Sequence, residues 1–60
     1  MVTLKRHNGP LALTSEHATL RHALDTIAWD HVDGSRVVYE ICEGDEIIMD
    51  HKQILEACGL

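Results

Sequence analysis

The sequence predicts an α+β class: a small β-α-β-β-α domain in which an antiparallel sheet of two or three strands carries one long and one short helix. Three observations lead there. Residues 14–32, TSEHATLRHALDTIAWDHV, contain neither glycine nor proline and suffice for about five helical turns. Residues 36–42, RVVYEIC, are β-branched, aromatic and bounded by turn residues. Residues 50–60 carry the start and stop signals of a short helix.

Sixty residues make one domain, 1–60, near the lower end of what folds alone. A core that small supplies about 3–5 kcal/mol, and such domains commonly add a disulfide, a metal or a second subunit. With 45% hydrophobic and 25% charged residues the chain is not of the disordered class. Trp29 and Tyr39 are its only aromatics, so the expected core is aliphatic, drawn from seven Leu, five Ile, four Val and two Met.

A formal charge of −5, from ten acids against five bases, disfavours nucleic acid as partner, because phosphate affinity comes from clustered Lys and Arg. Two aromatics also make a poor base-stacking platform. Five histidines would bring the charge from −5 to 0 on full protonation, so solubility should fall at about pH 5 to 6. No apolar run exceeds three residues, which leaves no membrane span or signal-peptide core. Cys42 and Cys58 are too few for a secreted disulfide framework, and a cytoplasmic protein with two reduced thiols is expected.

Val2 to Arg6 alternate as a short strand, and Asn8-Gly9-Pro10 turns the chain. A tight Asn-Gly hairpin would leave Pro10 without the closing N–H, so Leu11–Leu13 is expected as an extended lead-in of uncertain pairing. Lys5-Arg6-His7, the only basic cluster, reads as the solvated end of an edge strand. Thr14 or Ser15 then caps the long helix, with Glu16 in its first turn and Leu13 stapled to Ala18. Leu20, Leu24 and Ile27 form its apolar stripe, and Trp29 lies off that stripe as a rim residue or an interface anchor.

Asp33-Gly34 ends the helix. The strand to Cys42 and a second over Glu46–Met49 form a hairpin on a two-residue Gly44-Asp45 loop, with Cys42 opposite Ile47 and Ile41 opposite Ile48. Asp50-His51-Lys52-Gln53 supplies a capping box, Met49 and Ile54 a staple, and Gly59-Leu60 a left-handed stop, so 51–58 is a short helix. Both faces of the hairpin are apolar: Val37, Tyr39, Ile41 and Ile48 on one, Val38, Cys42 and Ile47 on the other. Either the helices cover opposite faces or something outside the chain covers one of them, and a homodimer is expected.

Chemical motifs are sparse. His17 and His22, five apart on the expected helix, lie about 140° from each other and do not share a face for a metal. A zinc joining Cys42, Cys58 and His51, or a Cys42–Cys58 disulfide closing about 15 residues, remains a matter of geometry. No nucleophile elbow, phosphate loop or HExxH sequence is present. The expectation is therefore a non-enzymatic protein–protein interaction module without cofactor or metal: a regulator, adaptor or inhibitor, dimeric, of the sort carried by phages or mobile elements. Its expected contact residues are Trp29, Val38, Cys42 and Ile47, with the acidic hairpin at the rim. The alternative is a dimeric DNA-binding regulator that gathers Lys5 and Arg6 from two chains.

Overall fold

The computed structural model describes residues 1–60. Strands β1 (Val2–Asn8) and β2 (Leu11–His17) precede helix α1 (Leu20–Asp30). Strands β3 (Val38–Glu43) and β4 (Glu46–Met49) precede helix α2 (His51–Cys58). The sheet is antiparallel throughout, in the order β2-β1-β3-β4. The class is α+β, but four strands replace the expected two or three, and the order is β-β-α-β-β-α.

The added strand comes from residues expected in the helix. Gly9 takes φ +60, which fits the first central position of a II′ turn, and Pro10 takes the second, where no closing N–H is required. The hairpin therefore closes between Asn8 and Leu11 and zips without interruption to Val2 opposite His17. Residues 14–17 consequently belong to β2, and neither Thr14 nor Ser15 caps a helix. The N-cap is Thr19, whose hydroxyl accepts from the His22 N–H at 3.1 Å. α1 stops at Asp30. Beyond it the Ser35 N–H donates to the Val32 carbonyl at 3.0 Å, with Gly34 at φ +81, so Asp33-Gly34 forms a separate turn.

β1 is an interior strand, not an edge, and strand alternation divides its basic residues between the two faces. Val2, Leu4 and Arg6 face the helices; Thr3, Lys5 and His7 face away. Val2 and Leu4 join Ala23, Ile27, Tyr39, Ile41 and Ile54 in one core, with Leu20, Leu24, Val37, Ile48, Met49, Leu55 and Cys58 packed around it. Both helices therefore lie on one face of the sheet. α1 sits over β1 and β2, α2 sits against β3, and the helices touch each other.

The second hairpin follows expectation at its loop, where Gly44 has φ +61, and Cys42 is opposite Ile47. A bulge then makes Ile41 face Met49 instead of Ile48. The extra residue lets both Ile48 and Met49 pack on the core. At α2 both capping-box bonds form, each at 2.9 Å: the Gln53 N–H to Asp50 Oδ1, and the Asp50 N–H to Gln53 Oε1. Gly59 adopts φ 72 and closes the C-terminus as predicted. No helix is long and apolar enough to cross a membrane.

Candidate functional site

The four expected contact residues do not form one patch. Trp29 is 90% exposed on the helix layer, so it is not core packing. Val38 and Ile47 are also exposed, but on the opposite, helix-free side of the sheet. Cys42, directly across from Ile47, is buried, its Sγ 3.6 Å from Glu40 Oε1. Rows of paired residues cross that open face: Glu16–Thr3–Cys42–Ile47, Thr14–Lys5–Glu40 and Ala12–His7–Val38. It is a mixed polar surface whose exposed apolar residues, Val38 and Ile47, lie toward opposite ends, with the Thr14–Lys5–Glu40 row between them.

Cys58 lies in the helix layer, donating its S–H to the Leu24 carbonyl at 3.4 Å, whereas Cys42 faces the other side of the sheet. Both thiols are free. Burial pushes the pKa of each upward; Lys5 opposes this at Cys42, where Glu40 adds to it, and Asp25 adds to it at Cys58. Neither is poised as a nucleophile. A groove of about 320 Å³ beside Cys58, between the helices, is lined by Arg21, Leu24, Asp25, Ala28 and Ala57.

Two histidine clusters were hidden from sequence reasoning. His17, at the end of β2, is buried, and its Nδ1 lies 2.8 Å from His22 Nδ1 on α1. Its Nε2 lies 2.8 Å from Ser15 Oγ. One consistent arrangement has the Ser15 hydroxyl donating to His17, and His17 Nδ1–H donating to His22. Burial lowers the pKa of His17, with further lowering from neighbouring His22 and Arg6. The ring is thus neutral at pH 7 but a weak base. Its evident work is to fasten β2 to the first turn of α1. The signal that could have exposed it is the hairpin register, which moves His17 from helix to strand.

In the second cluster His31 Nδ1 lies 2.9 Å from the Tyr39 hydroxyl, and the Tyr39 amide donates to His51 Nδ1 at 3.0 Å. That amide points toward β4 but lies past the strand's end, so the His51 ring replaces the missing backbone acceptor. The rings of Tyr39 and His51 stack at 5.7 Å. No group of three or more His, Cys, Asp or Glu residues is arranged to hold a metal.

On the helix side, β2 reaches past the cover of α1. Leu11 and Leu13 are each 65% exposed. Two hollows flank Leu13, one of about 250 Å³ with Arg6, Thr14 and Ser15, the other of about 200 Å³ with Arg6, His7, Asn8, Leu11 and Val37. Arg6 crosses from β1 to Asp30 of α1 at 3.5 Å. Comparison with family models, with curated proteins and with solved structures finds no match for this chain.

Proposed function

We propose that this protein is a non-enzymatic interaction module that acts by binding another protein, as a regulator, adaptor or inhibitor. The observation that carries the reading is the exposure of large apolar side chains at two separate places: Leu11, Leu13 and Trp29 beside the helix layer, and Val38 and Ile47 on the open sheet face. Exposed tryptophan and leucine on so small a domain lose free energy in water that a partner restores. Ile47, beside Glu43 and Glu46 at the hairpin tip, suits a partner that offers an apolar contact with a basic rim. Lys5 and Arg6 point to opposite faces of β1, which weighs against a shared phosphate-binding surface.

The test is crosslinking in cells that produce the protein, comparing wild type with a Val38→Glu/Ile47→Glu variant. A defined crosslinked protein that disappears in the variant supports the reading, and identical crosslinks for both refute this face. Fluorescence anisotropy with labelled duplex DNA tests the other class. Binding that weakens steeply between about 50 and 200 mM salt would replace the module with a DNA-binding regulator.

A further inference from the structure

β2 is a seven-residue strand with a free edge, bearing no lysine, proline or bulge. The opposite edge, β4, has four residues and is bulged, the ordinary protections against edge-to-edge pairing. The two-residue loop makes Asn8–Leu11 the closing hydrogen-bonded pair of the first hairpin. Leu11, Leu13, Ser15 and His17 therefore direct their backbone N–H and C=O groups to β1. Ala12, Thr14 and Glu16 direct theirs outward.

Trp29 belongs to the same region. Its neighbour Asp30 is bonded to Arg6, and Arg6 is the register partner of Leu13, so Trp29 is level with Leu13 along the strand. It also follows His22 by seven residues, two turns along one helix stripe. His22 touches His17 of β2, while Asp25 on the same stripe lines the groove toward α2, so Trp29 stands on the outer side of α1. Backbone donors and acceptors, two leucines and two hollows thus converge on one edge of the molecule.

From this convergence we infer that a second copy of this chain docks antiparallel along the β2 edge, about a two-fold axis through Leu13. The inference rests on the interaction-module reading and names the chain itself as one partner. In that register Leu13 opposes the partner's Leu13, and Ala12 opposes the partner's Thr14. Four backbone hydrogen bonds close the join into an eight-stranded sheet. Leu11 meets the partner's Leu13 diagonally, so four leucines form one cluster over the axis.

Because α1 sits over β1 and β2, strand spacing sets the two α1 helices roughly 10 Å apart, the distance of ordinary helix packing. Strand edge, leucines and the facing sides of the two α1 helices reach the lower limit for a specific interface if they bury about 600 Å² per chain, or ~1,200 Å² in the pair.

Native mass spectrometry and light scattering across about 1 to 500 µM read the equilibrium directly, with circular dichroism to confirm folding of each variant. Wild type is expected to dimerise. Leu13→Lys, and Thr14→Pro, which removes an outward N–H that the chain itself does not use, should each weaken the dimer at least about tenfold. Val38→Glu/Ile47→Glu should leave it unchanged. Leu13→Cys should give a symmetric disulfide between the two copies of position 13, because paired Cα atoms about 4.5 Å apart fall within bridging range.

A monomer throughout that range overturns the proposal. So does a dimer indifferent to both edge variants, or a disulfide that fails to form in a Leu13→Cys dimer that is otherwise intact. A monomer that still crosslinks another protein refutes this docking and leaves the module reading standing. A β2-edge dimer that crosslinks nothing else does the reverse.

Discussion

Replacing Asp50 by alanine removes the group that starts α2. Its carboxylate accepts the Gln53 N–H at 2.9 Å and places a negative charge at the helix N-terminus. An N-cap lost to alanine costs about 1 kcal/mol, and the macrodipole contact adds about 0.3–1 kcal/mol. The returning bond from the Asp50 N–H to Gln53 also loses its geometry, so about 2 kcal/mol is expected in all. An eight-residue helix has no independent stability to draw on, yet α2 supplies the fully buried Ile54. Against a total of about 3–5 kcal/mol, the loss is a large fraction. The assay is a urea melt followed by circular dichroism. With m of about 1 kcal/mol/M for so short a chain, the midpoint should fall by ~2 M. Asp50→Ser, which keeps an acceptor without the charge, should lose less than half as much. A double-mutant cycle with Gln53→Ala should show coupling of at least ~0.5 kcal/mol. A midpoint for Asp50→Ala within ~0.3 M of wild type would refute the account of how α2 is held.

Ile54→Ala should cost about 2–5 kcal/mol, enough to leave little folded protein at 25 °C by the same melt. Gly44→Ala meets no atom within 4 Å, so its cost is that of φ +61 alone, about 1–2 kcal/mol in thermal or urea unfolding. His17 has its folded pKa below the unfolded value, so the unfolded chain binds more protons as pH falls through about 6.5 and stability declines from there downward. Urea midpoints measured from pH 7.5 to 5 should show that decline, and His17→Gln should flatten it; an unchanged slope would remove His17 as its source. Thiol labelling of the native protein should be much slower than in denaturant, with Cys42 slower than the half-buried Cys58.

The chain's amino acids determined, by themselves, the features that a few neighbouring residues can enforce. The α+β class, the Gly44-Asp45 loop, the Cys42–Ile47 pairing and the whole of α2 with both its caps were readable because each depends on contacts or dihedrals within a few positions. Trp29 was readable only as a large apolar residue off the helix stripe. Tertiary structure alone decided where α1 begins. Residues 14–17 are compatible with a helix, but a strand is defined by its partner, and Val2–Lys5 offer a full ladder of hydrogen bonds to them. That one pairing made β1 interior. It also carried His17 to His22 and set Leu11 and Leu13 on a free edge level with Trp29. The choice of one sheet face for both helices, which separated Trp29 from Val38 and Ile47, was equally non-local. Local propensity cannot register such outcomes, because the backbone groups and apolar surfaces that decide them are far apart in the chain and meet only when it folds.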